Sequence, residues 1–307
     1  MSAATVTVCS FYRFVALDNV ADLQLRLLNA AAERHLLGTV LLAAEGINGS
    51  LSGSESDIRS WFDWVGRSVP ALANLDGHWN EASAAPFSKM RVRLRAEIVT
   101  LGRPDINPAN GTGQHVDART WNQLLDRDDV VIIDTRNDYE IDVGTFPGIE
   151  NPDTKSFRDF PAYVAANRER LRTQPVAMFC TGGIRCEKAA ALLIEEGCSE
   201  VYQLEGGILG YLASVSDDDN RWQGECFVFD TRVAVDQSLA PGGHVQCHAC
   251  RRPLGPSELA SEQYEEGLSC PHCYGTLSEE RLDQLRERRR QNRLRRERAA
   301  KQEAKSA

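Results

Sequence analysis

No stretch of this 307-residue sequence is apolar for long enough to cross a bilayer. The longest run, Leu36–Ala44, spans nine residues and includes Gly38 and Thr39, whereas a membrane helix needs about 18 or more. No basic segment followed by an uninterrupted apolar core opens the chain, so no secretory signal is expected. The nine cysteines are an odd number. Without a signal they argue against a disulfide scaffold and for a reducing cytoplasm, where cysteines serve chemistry or metal binding. HExxH, Walker A and G-x-S-x-G patterns are absent, which excludes a zinc protease, a P-loop NTPase and an α/β-hydrolase of the usual kinds. Neither a dinucleotide fingerprint nor a 2-His-1-carboxylate set is visible, so no flavin or nicotinamide site is expected. His35, His78, His115 and His244 are scattered, and there is no internal repeat.

Hydrophobic residues make up 42% and charged residues 26%, as in an ordinary globular protein. The length suggests about two domains, with a third if some are small. The net charge of −9 conceals a partition. Residues 281–307 hold eleven basic and four acidic residues, +7, whereas residues 1–280 hold 24 basic and 40 acidic, −16. A basic tail on an acidic body suits a polyanionic partner; the plainer reading is a solvated terminal helix.

Residues 1–101 alternate strand-like and helix-like patterns. Val6–Val15 and Gly38–Ala44 read as strands, Asp18–Arg34 as a helix, and Ser54 as a cap for a helix bearing Ile58, Trp61, Phe62 and Val65. Arg91–Leu101 opens with strict alternation and reads as the last strand. The resulting β-α-β-β-α-β order predicts a ferredoxin-like α+β sandwich. Residues 102–116 are rich in Gly, Pro and Asn and read as a linker. Over 117–219, the continuous apolar runs Val130–Asp134 and Pro175–Phe179 alternate with helical patterns. Such runs belong to parallel sheets covered on both faces, which predicts a doubly wound α/β domain. Residues 220–280 begin with a hairpin pattern and continue into two CxxC pairs, and 281–307 form the Arg-rich tail.

The richest stretch for chemistry is Cys180-Thr181-Gly182-Gly183-Ile184-Arg185-Cys186, between a buried strand and a helix. A thiol there faces a helix N-terminus, glycines that let amides turn inward, and a fixed positive charge. All three favour a thiolate nucleophile, Cys180, within an anion cradle of Thr181, Gly182, Gly183, Ile184 and Arg185. Cysteine phosphatases use C-x5-R preceded by His. Here the spacing is C-x4-R preceded by Phe179, which suits a sulfur-sized or persulfide-sized occupant and disfavours a phosphatase. Cys186 has two readings, a resolving thiol or a packing residue of the first helical turn. Asp134, Arg136 and Glu140 read as support, with Arg136 bracing the loop by charge-assisted bonds. Cys9, Cys198 and Cys226 read as small apolar core residues.

These residues carry a resemblance. Asp134 to Glu140 (DTRNDYE) with Gly144 to Gly148 resembles the entry segment of rhodaneses, Cys180–Arg185 their active loop, and Leu204–Ile208 their closing segment. In rhodaneses the loop cysteine takes up sulfane sulfur as a persulfide, a role this resemblance gives to Cys180. CTGGIRCEKAA, DTRNDYE, AEGINGSLSG and RVRLRAEIVTLG together further resemble the bacterial oxygen-dependent tRNA uridine hydroxylase family. That likeness implies conversion of the wobble uridine 34 to 5-hydroxyuridine, with molecular oxygen as co-substrate and the tRNA anticodon region as partner. The alternatives are a plain sulfurtransferase passing persulfide sulfur to a small-molecule or protein acceptor, and a non-enzymatic scaffold.

Cys247, Cys250, Cys270 and Cys273 form two CxxC knuckles 19 residues apart, a zinc-ribbon spacing. Four thiolates close a tetrahedral shell, so structural zinc is expected and His248 and His272 are not needed as ligands. The ribbon reads as an accessory for substrate docking, and the tail 281–307 as an RNA contact.

Overall fold

Alternation in the first strand decides which way the N-terminal sheet faces. The computed structural model describes residues 6–306. Residues 1–5 and Ala307, included above in the N-terminal domain and the basic tail, lie outside the described residues, as do the side chains of Arg296 and residues 298–306. In β1 (Val6–Phe14), Cys9 and Phe11 enter the core, while Ser10 and Tyr12 point the other way. Two helices, α1 (Val20–Ala32) and, after β2 (Leu37–Ala43) and β3 (Gly46–Gly53), α2 (Glu55–Ser68), cover the apolar face. Ser54 caps α2 as expected, its hydroxyl accepting from the Asp57 amide at 3.1 Å. Phe11, Trp61 and Phe62 pack with ring centroids 5.1–5.7 Å apart at the centre of this core.

The sheet order is completed by β4 (Gly77–Ala82) and β5 (Met90–Leu94), giving β4-β1-β3-β2-β5. The first four strands are antiparallel and form the β-α-β-β-α-β sandwich. Its last strand is β4, not the alternating segment beginning at Arg91. That segment instead supplies β5, an added edge strand parallel to β2 that ends at Leu94. The reason is compositional: β4 turns only Trp79 to the core and presents His78 and Asn80 on its other face, so it carries no apolar alternation.

The central domain begins with β6 (Gln114–Val116), inside the stretch read as a linker, and continues through α3 (Ala118–Leu125), β7 (Val131–Asp134), α4 (Asp138–Ile141) and β8 (Gly144–Thr145). After α5 (Phe160–Ala166) and α6 (Arg168–Thr173) come β9 (Val176–Phe179), α7 (Ile184–Glu195), β10 (Val201–Leu204) and α8 (Gly207–Ser214). The sheet is parallel in the order β6-β10-β9-β7. Val131 and Ile133 pack on one side with Val176, Met178 and Leu192; Ile132, Ala177 and Phe179 pack on the other with Trp121, Phe146 and Tyr211. Burial on both faces is the physical origin of the uninterrupted apolar runs.

Two short ladders return to this domain. β11 (Gln223–Gly224) pairs with β8, and β12 (Cys226–Phe227) pairs with β13 (Ala234–Val235). Trp222, Val228 and Val235 bury themselves against Phe146 and Phe179, so this segment shares the core of the central domain. The chain divides into two compact units at Pro241–Gly242. The second unit contains β14 (Val245–Gln246), β15 (Pro253–Leu254), α9 (Pro256–Leu259) and the long α10 (Glu279–Ser306). Among the described residues no helix is long and apolar enough to cross a membrane.

Candidate functional site

Cys180 directly follows β9, where the strand ends against the N-terminus of α7. Gly183, the residue before α7, has φ 92°, a left-handed value that disfavours any side chain. That turn sends the Gly183 amide back onto Cys180, donating to its Sγ at 3.1 Å. The Cys180 carbonyl accepts from the Ile208 amide at 2.9 Å, and the Thr181 carbonyl from Leu209 at 3.1 Å, so the start of α8 pins the loop. A Cβ at Gly207, itself at φ 61°, would lie 2.4 Å from the Cys180 oxygen, which explains the glycine there.

Cys180 is buried. Burial pushes its thiol up, but a hydrogen bond from Cys186, the charge of Arg185 and the amides of Arg185 and Cys186 outweigh it and bring the thiol down to about 6. Cys186 moves the opposite way: burial and the neighbouring Cys180 charge hold its proton well above the ordinary thiol range. Its Sγ also lies 3.6 Å from Thr135 Oγ1. The surroundings therefore favour the thiolate at Cys180 and the thiol at Cys186.

Arg185 is held by Glu140 through two parallel bonds of 2.6 and 2.7 Å, and lies 3.4 Å from Thr181 Oγ1. Two of its donors are taken by the carboxylate, and its charge lowers the Cys180 thiol. Arg136 is fully buried. It binds Asp134 at 2.6 and 2.9 Å and the carbonyls of Glu140 and Gly144 at 3.1 and 2.6 Å. It thus fastens the entry segment between the rings of Phe179 and Trp222 rather than touching the cysteine loop itself.

The N-terminal domain closes over this loop. Lys188 is fully buried and pairs with Glu45 at 2.7 Å and Glu97 at 2.6 Å. Those carboxylates also accept from the amides of Ile98, Leu101 and Gly102. Glu187 gathers Tyr12, Thr112, His115 and Gln203 within 2.8–3.2 Å. Arg232 reaches Asn80 at 3.1 Å, and Thr231 the Pro86 carbonyl at 3.1 Å. The result is a cleft of about 530 Å³. The cysteine loop forms its floor, the polar face of β1, β3 and β4 one wall, and Val228–Arg232 another. The sequence reading missed Ser10, Asn48, Ser50, His78, Asn80 and Phe229. The available signal was the polar alternate positions of β1 and β3, which look like a solvent face.

In the second unit, Cys247, Cys250, Cys270 and Cys273 place their sulfurs within 4.8 Å of one another. The Sγ atoms are 3.9 Å apart for Cys247–Cys273, 3.6 Å for Cys250–Cys270 and 3.7 Å for Cys270–Cys273. A tetrahedron with Zn–S bonds of about 2.3 Å has edges of about 3.8 Å, so the four thiols fit a metal such as zinc. His272 Nε2 faces Glu258 at 3.8 Å. Along α10, Arg286, Arg288, Arg289, Arg290 and Arg293 border a hollow of about 620 Å³ with His248 and Gly267.

Residues 6–98 match the family model described as UPF0176 acylphosphatase like domain, and residues 117–214 match the Rhodanese-like domain. A tRNA uridine(34) hydroxylase of Acaryochloris marina (strain MBIC 11017) is 47% identical over 289 residues, covering 94% of this chain and 93% of that protein. A tRNA uridine(34) hydroxylase of Gluconobacter oxydans (strain 621H) is 44% identical over 293 residues, covering 94% and 93%.

Proposed function

Because this chain belongs to the tRNA uridine(34) hydroxylase family and carries its rhodanese domain, we propose that it converts the wobble uridine of tRNA to 5-hydroxyuridine with Cys180 as the reacting group. The observation that carries the reading is Cys180 at the floor of a cleft walled by the N-terminal sheet, with the Gly183 amide donating to its Sγ at 3.1 Å. The backbone of Thr181, Gly182, Gly183 and Ile184 cradles negative charge there, as amides at a helix start do. Arg185 adds its field, and Glu140 fixes the guanidinium. Asp134 and Arg136 hold the entry segment. Cys186, a thiol beside Cys180, is the candidate resolving group for an oxidised Cys180.

Molecular oxygen is the co-substrate that supplies the new hydroxyl; its second oxygen leaves as water, taking two protons and two electrons from an external reductant. The anticodon region is the part of tRNA engaged. Its wobble base is single-stranded and needs little energy to leave the stack. Zinc held by the four cysteines closes its shell and serves folding. The arginines of residues 281–307 contact RNA phosphates. Persulfide-capable thiol chemistry on tRNA belongs in the reducing cytoplasm.

The test is nucleoside mass analysis of tRNA from a deletion strain complemented with the wild-type chain or with Cys180→Ser. The wild-type chain restores 5-hydroxyuridine-derived nucleosides and Cys180→Ser does not. Full restoration by Cys180→Ser refutes the assignment of Cys180. Unchanged hydroxylation in the deletion strain with loss of thiolated nucleosides favours the sulfurtransferase instead.

A further inference from the structure

The chemistry assigned to Cys180 leaves the opposite wall of its cleft unexplained. A sandwich domain of this kind normally turns its second sheet face to water. Here that face is half-buried beneath the cysteine loop and the segment Val228–Arg232. It is nonetheless polar. Ser10 and Ser50 sit opposite each other in register and share a hydrogen bond of 2.6 Å. Two hydroxyls sharing one hydrogen leave the other free to donate.

Asn48 lies two residues before Ser50 on the same face of β3. Its Nδ2 donates to the Ile98 carbonyl at 2.9 Å, which orients the side-chain carbonyl. Among the described residues, that Oδ1 has no hydrogen-bond partner. An acceptor and a donor thus stand next to each other along one strand. Phe229, 66% exposed, lines the same cleft, its ring 5.9 Å from the Arg185 guanidinium. An exposed aromatic beside a polar edge is how proteins hold unstacked RNA bases.

We propose that this wall is a uracil subsite: Asn48 accepts from N3–H, the Ser10–Ser50 hydroxyl pair donates to a ring carbonyl, and Phe229 stacks on the ring. Uracil offers a donor flanked by two acceptors, which complements this order. Cytosine offers an acceptor at N3, which sets two lone pairs against each other and leaves the covered amide oxygen unsatisfied. The proposal rests on the reading that uridine 34 is brought to Cys180, and it adds how the base is recognised.

The test measures binding rather than turnover, so the two readings fail separately. Full-length protein carrying Cys180→Ser is titrated with anticodon stem-loops bearing uridine, cytidine or N3-methyluridine at position 34. The uridine stem-loop binds about tenfold or more tighter than the other two. Asn48→Ala, and separately Ser10→Ala with Ser50→Ala, bring that preference close to one. Phe229→Ala weakens uridine and cytidine stem-loops alike by about tenfold, and Phe229→Trp restores binding. An unchanged midpoint and slope in urea unfolding report that each variant keeps its fold. Equal binding of all three stem-loops by the parent protein overturns the subsite, as does a uridine preference that survives both sets of wall substitutions. Hydroxylation by Cys180→Ser would instead remove the catalytic reading and leave these binding results standing.

Discussion

Replacing Cys186 by alanine removes the thiol that donates to Cys180 and leaves Arg185 and the loop amides in place. A hydrogen bond to a charged acceptor contributes about 1.5–3 kcal/mol. One pKa unit corresponds to about 1.4 kcal/mol, so the Cys180 midpoint rises from about 6 to roughly 7–8. The sign follows from which form is stabilised: the donor favours the thiolate, so its loss favours the thiol. At pH 7 the thiolate fraction falls from about nine-tenths to between one half and one-tenth, which slows alkylation about two- to tenfold. The assay is iodoacetamide alkylation across pH 5–9, with Cys180 followed by peptide mass analysis. In the wild-type protein the rate is lost as pH falls through about 6. Cys186→Ser keeps a donor and keeps the midpoint low. A wild-type midpoint near the ordinary thiol value of about 8.5 refutes the thiolate. A midpoint unmoved by Cys186→Ala refutes the role given to Cys186.

Lys188→Met leaves Glu45 and Glu97 facing each other without their cation, and is expected to cost about 3–5 kcal/mol in urea unfolding. Adding Glu45→Gln and Glu97→Gln recovers most of it, and no recovery shows that the lysine acts through packing alone. Cys247→Ser or Cys270→Ser lowers bound zinc below one equivalent in elemental analysis, and zinc fully retained in both refutes the four-cysteine shell. Arg288→Ala with Arg293→Ala flattens the salt dependence of tRNA binding by about 0.7–0.9 in log–log slope for each phosphate these arginines neutralise. An unchanged slope leaves these arginines as solvated surface.

Legibility in the sequence tracks how many sides of an element are buried. Val131–Asp134 and Val176–Phe179 are readable because a sheet covered on both faces leaves no polar position to confuse the pattern. α2 is readable because Ser54 caps it and Ile58, Trp61, Phe62 and Val65 share one stripe. The knuckles Cys247–Cys250 and Cys270–Cys273 are readable because metal geometry dictates the local spacing. By contrast, β4 is hidden because only Trp79 faces the core, and β6 because Gly111 and Gly113 give its surroundings the look of a linker. The cleft wall is hidden for a further reason. Ser10, Asn48 and Asn80 come from three strands, and each is locally indistinguishable from a residue facing water.

The first turn of α7 shows how much that ambiguity conceals. Arg185, Cys186, Glu187 and Lys188 are four consecutive residues, and a charged first turn ordinarily reads as solvent-facing. All four are buried. At 3.6 residues per turn, four neighbours point to four sides of the helix, and each finds a different partner. Arg185 takes Glu140 of the entry segment, and Cys186 takes Cys180. Glu187 takes Tyr12 of the N-terminal sheet and His115 of β6, and Lys188 takes Glu45 and Glu97. The turn that lowers the thiol is therefore also the turn that seats the N-terminal sheet over it. Chemistry at Cys180 and recognition on the facing wall are coupled through consecutive side chains. Misdocking of the sandwich domain would cost the base subsite while leaving an intact loop with a reactive cysteine.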